Sequence, residues 1–390
     1  MIGLNTLSYL IDKMRIVILT PIPLWHPGTS ELMKRLENAN FSVIAFDIWS
    51  LQTCDGQGKI NDLRSIKSGN IFGKLLNRLC RKKIILKLIN NHDILDIHWC
   101  DPNYIRYFSI LRKKEVKIIS TVFGSDFYRV NEQKLSKLGV LFSESDRVMI
   151  GANMKEDVIS VFPEIENKIV YNQYGSERLD VIVKLMGQSV DDMRSKWGIE
   201  KNDVVVSLGY NAKKEQQHIV LLDVLNELPE NILNNIVVIL PLTYGSEEQP
   251  EYFKYILSKS KNCNVRKMII LDEKLSDNEL AESKLVSDIT INIQTTDALS
   301  SSVKESFAAG NTVIVGKWLP YNVYNEIGLY FYSSEIVELK EVLLIAIKNL
   351  DADKERCKLN TEKIMTFASW ASVMPLFINT YNEIAGEWNR

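Results

Sequence analysis

Short apolar runs rich in β-branched residues alternate along the chain with stretches whose apolar positions recur every three or four residues. This is the pattern of a parallel sheet covered by helices on both faces. In the first half, strands are predicted at 15–20, 42–47, 94–99, 116–122, 146–151 and 168–172. Helices fit between them at 29–39, 74–90, 104–114 and 153–161, with Thr29 or Ser30 as N-cap of the first. The alternation pauses over 173–200, which holds one amphipathic helix and a turn-rich approach to a new strand. It resumes with strands at 204–208, 235–240, 266–271, 288–293 and 311–315 and helices near 215–227, 250–260, 276–286 and 301–309. From about 335 onward the chain reads as helical, with Pro375 interrupting the last stretch.

Two consecutive doubly wound α/β units of roughly 170–190 residues each account for this order. The expected division is an N-terminal extension 1–13, a first Rossmann-like domain 14–185, a second 186–365, and a closing helix 366–390 returning toward the first. A length of 390 residues exceeds what one hydrophobic core serves. Ligands of such folds bind beyond the carboxyl ends of the strands, and a cleft between two units suits two substrates.

Composition narrows the classes further. Hydrophobic content of 46% and charged content of 25% are those of an ordinary globular protein. A net charge of −2 gives no overall attraction to nucleic acid, so none is expected as a partner. The cysteines Cys54, Cys80, Cys100, Cys263 and Cys357 form no CxxC pair, which implies reduced thiols in a cytoplasm, with neither a zinc site nor a disulfide framework. No run approaches the ~18–20 apolar residues of a membrane span, and residues 1–13 lack a signal-peptide cleavage site. GxxxxGK[ST], HExxH and GxSxG are all absent. Asp351 and Asp353 have DxD spacing, but in a helical stretch with no preceding strand.

One local charge pattern stands out. Between Asp62 and Asp93 there is no acidic residue, while Arg64, Lys67, Lys74, Arg78, Arg81, Lys82, Lys83 and Lys87 are basic. Leu75, Leu76, Leu79, Leu86 and Ile89 supply an apolar face at near-helical spacing. Such a segment, 64–89, either lies on an anionic membrane surface or packs on the core with a solvated basic face.

Candidate chemistry concentrates at 295–316. The stretch reads as a strand end, a polar turn, a helix, a stop at Gly310 and a further strand. Small residues at Ala298, Ser300, Ser301 and Ser302 would let a phosphate approach the free N–H groups of the helix start. Glu305, farther along the helix, can accept hydrogen bonds from a ribose diol. The plainer alternative is that Asp297 caps the helix.

This segment, Asp297-x7-Glu305 followed by Ser306-Phe307-Ala308-Ala309-Gly310 and a Val/Ile strand, resembles the donor-binding signature of GT-B glycosyltransferases, above all glycosyltransferase family 4. Residues 271–280 and 288–293 occupy the places of that family's base-binding loop, short helix and strand. Phe123-Gly124-Ser125-Asp126-Phe127-Tyr128 resembles the family's HisGlySerAsp, with Phe123 in place of the His. It is nearer to a motif of the common-antigen aminodeoxysugar (Fuc4NAc) transferases, a group that Pro241-Leu242-Thr243-Tyr244-Gly245 and Asn211-Ala212 with His218 also resemble. Asp297 stands where family 4 has Glu, one methylene longer.

The resemblance implies a GT-B fold of two Rossmann-like domains facing across a cleft. It implies transfer of a sugar from a nucleoside-diphosphate sugar to a glycan acceptor in surface polysaccharide, O-antigen, lipopolysaccharide or capsule synthesis, with the acceptor on a lipid. Neither a metal nor another cofactor is implied. Donor contacts fall on Glu305, Ser300, Ser301, Ser302, Lys213, Lys214, His218, Tyr244 and Lys274, and Asp297 is placed at the transferred sugar. Lys213 and Lys214 would stabilise the charge of a leaving diphosphate. Asp126, His98 and His26 are candidate acid–base groups of the first domain, although a lone buried His such as His98 is more often a core residue. Gly28 and His26 sit on the acceptor side. The acidic-x7-Glu pattern favours retention and the aminodeoxysugar likeness favours inversion, so both stay open. A nucleotide-sugar 2-epimerase of the same fold and a non-catalytic partner subunit are the rival readings. The location implied is the cytoplasm, at the inner face of the membrane if the 64–89 segment binds lipid.

Overall fold

The computed structural model describes residues 13–20, 27–63 and 81–389. His26, residues 1–12 and the first part of the basic segment, 64–80, lie outside the described residues.

The chain divides into two compact units. The first comprises the chain up to Gly151, Lys155–Asn172 and the stretch from Met374 onward; the second comprises Ala152–Met154 and Gln173–Val373. The main division thus falls after Asn172, ahead of the expected 185/186. The helix Glu177–Leu185 explains the difference, because it packs on helices Asp277–Leu285 and Ser301–Ala308 of the second unit.

In the first unit eight strands form one sheet in the order β4-β3-β2-β1-β5-β6-β7-β8. They are β1 (Arg15–Leu19), β2 (Ser42–Asp47), β3 (Gln52–Asp55), β4 (Ile60–Asp62), β5 (Ile94–His98), β6 (Lys117–Thr121), β7 (Arg147–Ile150) and β8 (Ile169–Tyr171). The pairs are parallel except β2–β3 and β3–β4. Val17, at the centre of β1, stands opposite Ile44 on one side and Leu95 on the other. Central strands covered on both faces have no polar side to show, which is why they read as continuous apolar runs. The antiparallel pair β3 and β4 was not expected from sequence.

In the second unit six parallel strands have the order β11-β10-β9-β12-β13-β14. They are β9 (Val204–Leu208), β10 (Ile236–Pro241), β11 (Lys267–Leu271), β12 (Ile289–Asn292), β13 (Thr312–Gly316) and β14 (Tyr332–Ser334). The two-residue period of the strands separates their side chains cleanly. Val205, Val237, Ile239, Val313 and Val315 belong to one core. Val206, Val238, Leu240, Ile291 and Ile314 belong to the other.

Several helices differ from their expected extents. The stretch 173–200 holds two, Glu177–Leu185 and Val190–Lys196. The helix expected at 215–227 starts at His218, because Gln217 adopts φ 58° and breaks it from the short turn Lys214–Gln216. Pro375 is accommodated within a continuous helix Trp370–Gly386. Asp353 is fully buried and accepts hydrogen bonds from the hydroxyls of Tyr330 (2.8 Å) and Tyr332 (2.7 Å), a core role for one half of the DxD spacing. In the described part of the basic segment, Ile85 and Ile89 are buried in the core while Lys82, Lys83 and Lys87 are exposed. No helix among the described residues is long and apolar enough to cross a membrane.

Candidate functional site

In the second unit, the loops that leave β9, β10 and β12 are tied together at the carboxyl end of the sheet. The N–H of Thr295 donates to the carbonyl of Glu215 at 2.9 Å, and Ala212 N–H donates to the carbonyl of Tyr244 at 2.8 Å. The Tyr210 hydroxyl and Gln216 Nε2 both donate to Gln294 Oε1 at 3.0 Å. These ties bring Lys213, Lys214, His218, Tyr244, Asp297 and Ser300 to one end of one sheet, the end at which doubly wound folds bind ligands. Lys274 lies exposed on the loop that follows β11.

The individual side chains are placed unevenly. Lys213 Nζ is 2.6 Å from Glu248 Oε2, so its charge is already matched by an exposed carboxylate. Lys214 is exposed, and its backbone N–H is held by Gln249 Oε1 at 2.7 Å. The Tyr244 ring is half exposed, and its hydroxyl accepts from Asn211 Nδ2 at 3.2 Å. His218 is fully buried, and burial pushes its pKa down to about 4, so its ring is neutral at physiological pH. Gly209, with φ 67°, is required beside it: a Cβ there would lie 3.1 Å from the imidazole Nε2.

Asp297 closes the loop before the helix Ser301–Ala308. Its Oδ1 accepts from Ala298 N–H at 2.8 Å, and its Oδ2 accepts from Ser300 N–H at 3.1 Å and from the Tyr321 hydroxyl. Both oxygens are engaged, and Asp297 thereby ties the loop to the start of the helix. Leu299, buried with φ 60°, carries the backbone strain of this turn. Ser300 is the N-cap residue but makes no side-chain capping bond, and its buried hydroxyl has no partner among the described residues. Ser301 opens the helix, and Ser302 Oγ accepts from Lys284 Nζ at 2.7 Å.

Glu305 is 3% exposed. Its Oε1 accepts from Arg178 Nε at 2.8 Å and from Ser176 Oγ at 3.3 Å, while no described residue bonds Oε2. One face of the carboxylate is thus committed within the protein, and one oxygen is left for a hydroxyl donor.

Two lysines absent from the sequence reading lie at this helix. Lys284 and Lys304 are 5% and 4% exposed, and burial lowers the pKa of each to about 8. A sequence signal for Lys304 exists: it lies three and four residues before Phe307 and Ala308, on the buried face of the helix.

In the first unit, Asp126 and His98 sit at the carboxyl ends of β6 and β5. Asp126 Oδ2 accepts from Cys100 N–H at 2.8 Å and Oδ1 from Phe123 N–H at 2.9 Å. Burial raises its carboxyl pKa against the pull of these N–H groups. Through these two bonds Asp126 ties the loops that follow β5 and β6. Gly124 adopts φ 99° to bring the loop round to it. His98 is fully buried, with Nε2 3.2 Å from Asp96 Oδ2 and its ring 5.5 Å from that of Phe123. The core reading of His98 is therefore the one the packing supports. Gly28 opens the helix Pro27–Asn38 beyond β1. Among the described residues no group of three His, Cys, Asp or Glu side chains is placed to hold a metal.

No protein-family model and no curated protein sequence matches the chain. Solved structures do. A glycosyltransferase from Rickettsia africae ESF-5 superposes with a TM-score of 0.73 at 16% identity, over 96% of this chain and 99% of that one. The HepE protein of Anabaena, in complex with UDP and glucose, superposes with a TM-score of 0.70 at 11% identity, over 95% and 100%. Sucrose-phosphate synthase from Thermosynechococcus elongatus gives 0.72 at 11% identity, over 96% and 100%. The chain has the GT-B fold. The superpositions run over nearly the whole chain, so the GT-B assignment includes both units.

Proposed function

We propose that this protein is a glycosyltransferase that moves a sugar from a nucleoside-diphosphate sugar to a glycan acceptor. The observation that carries the reading is the convergence of three loops at the carboxyl end of the second sheet. They place the N-terminus of helix Ser301–Ala308, the unpartnered hydroxyl of Ser300 and the open oxygen of Glu305 together on a GT-B fold. The helix start suits phosphate, and Glu305 Oε2 suits a ribose hydroxyl. Protein cations take the charge of the leaving diphosphate in this reading, so no metal is called for. HepE carries UDP and glucose, which makes a UDP-sugar the first donor to test.

The acceptor in this reading is a glycan on a lipid diphosphate, as in surface polysaccharide synthesis. Lys82, Lys83 and Lys87 are exposed along one stretch and support contact with an anionic membrane, at about 1 kcal/mol per nearby basic side chain.

The test has two stages. Thermal shift against UDP, GDP, dTDP and CMP identifies the base, and a radiolabelled sugar nucleotide of that base is then offered with lipid-linked acceptors. Label appearing in the lipid fraction supports the reading. Free epimerised sugar nucleotide without acceptor would move the assignment to an epimerase, and binding without turnover to a non-catalytic subunit. The anomeric proton signal of the first product decides between retention and inversion.

A further inference from the structure

We propose that Trp99 and Phe123 form an aromatic platform on the first unit that takes a pyranose ring of the acceptor glycan. The inference rests on the transferase reading above and adds to it a sugar-binding surface made by two named side chains.

Trp99 follows β5 directly and Phe123 lies two residues beyond β6, so both stand at the carboxyl ends of adjacent central strands. Their ring centroids are 3.7 Å apart and their planes differ by 9°, so each gives one face to the other. The fully buried His98 backs the pair, with its ring 5.5 Å from Phe123 and 6.4 Å from Trp99. Trp99 and Phe123 both keep part of their surface exposed.

Ordinary core packing does not account for this geometry. Aromatic pairs left to themselves favour offset or edge-to-face contact over a parallel sandwich. The other stacked pairs among the described residues, Trp49–Tyr104 and Phe377–Tyr381, are 5.9 and 6.3 Å apart at 21° and 28°. Trp99 in addition adopts φ 52°, a strained conformation for a bulky side chain. The two loops hold the rings against these costs. The buried carboxylate of Asp126 accepts from the N–H of Cys100, next to Trp99, and from the N–H of Phe123 itself, at 2.8 and 2.9 Å. One side chain thus fixes the two rings relative to each other. Strain maintained in this way belongs with a surface prepared for a ligand.

The chemistry of the ligand follows from that surface. A flat aromatic face at the ligand-binding end of a doubly wound sheet suits the polarised C–H face of a pyranose, whose hydroxyls stay at the hydrated rim. The exposed residues of the following turn, Ser125 and Arg129, are polar and favour a hydroxylated ring over a lipid chain.

Saturation-transfer NMR of the full chain with the methyl glycosides of glucose, galactose, mannose, rhamnose and N-acetylglucosamine tests the platform. At least one glycoside should receive saturation at its ring C–H protons. Trp99→Leu and Phe123→Leu should each bind it roughly 5- to 10-fold more weakly, the scale of one aromatic contact. The nucleoside diphosphate found by thermal shift should bind both variants as it binds the unaltered protein. Glycoside affinity within about twofold of the unaltered protein in both folded variants would overturn the platform. So would a panel in which no glycoside binds the unaltered protein, and nucleotide binding would then leave the transferase reading in place. A glycoside held through Trp99 by a protein that binds no nucleotide would keep the platform and remove that reading instead. Should a substitution prevent folding, the indole N–H resonance of Trp99 in the unaltered protein decides: it should shift on addition of the glycoside, and an unmoved resonance sinks the proposal.

Discussion

Arg178 Nε lies 2.8 Å from Glu305 Oε1, joining the helix Glu177–Leu185 to the helix Ser301–Ala308. The guanidinium is about one-third exposed and the carboxylate 4% exposed, so the two partners do not lose equally when the pair is broken. Arg178→Met leaves a buried carboxylate without its cation and should cost about 2–3 kcal/mol, below the range for fully buried pairs because solvent reaches Arg178. The double variant Arg178→Met/Glu305→Leu should recover much of that loss in urea unfolding. Nucleotide affinity should fall in both, because Oε2 is lost or displaced. Recovery of both stability and affinity in the double variant would remove Glu305 from the donor site.

Asp126→Asn separates a loop tie from a base. An amide in place of the carboxylate points a donor at one of two backbone donors, Cys100 N–H or Phe123 N–H, which now bond at 2.8 and 2.9 Å. The expected result is a destabilisation of about 1–3 kcal/mol in urea unfolding. A catalytic base would behave differently, with unchanged stability and a rate reduced roughly 10²–10⁴-fold.

The strands that are buried on both faces were legible in the sequence, because a central parallel strand is a run of apolar residues wherever it occurs. β3, β4 and β14 were not. Gln-Thr-Cys-Asp at 52–55, Ile-Asn-Asp at 60–62 and Tyr-Ser-Ser at 332–334 are short and polar, and their pairing is decided by neighbours. At the site, the turns were legible and their chemistry was less so. Asp297 was located as a helix-start residue, yet its occupation depends on Tyr321, 24 residues later. Asp126 was located at a strand end, yet its partner Cys100 lies 26 residues earlier. Spacing finds such carboxylates, but only tertiary contact tells which of their oxygens remain open. Lys304 is the opposite case. Its helical register with Phe307 already placed it inside, and the charge made that placement easy to pass over.

Tyr381 should anchor the end of the chain to the first unit. Its hydroxyl donates to Asp96 Oδ2 at 2.6 Å, both residues are fully buried, and Thr121 Oγ1 takes the other carboxylate oxygen at 2.6 Å. Tyr381→Phe removes one donor from a buried carboxylate at almost constant volume. A loss of about 1–3 kcal/mol is expected. Hydrogen exchange should accelerate in β5 and in the last helix while β9–β13 keep their protection; uniform acceleration would contradict a tie local to the first unit.

The two buried lysines, Lys284 and Lys304, give the stability of the protein a pH slope. Each has a folded-state pKa of about 8 against 10.5 for an ordinary lysine. Between those values the unfolded chain holds more protons than the folded one, so their contribution to stability rises with pH through that window. Below pH 8 both are charged when folded, and each penalises the apo protein by about 3 kcal/mol. Lys304→Met should therefore raise the melting temperature at pH 7. Thermal melts of the unaltered protein and of Lys284→Met/Lys304→Met from about pH 6.5 to about 9.5 check this slope. A gain in stability above pH 8 that the double variant lacks is the expected outcome; parallel profiles in the two proteins would show that burial does not hold either lysine below its ordinary range.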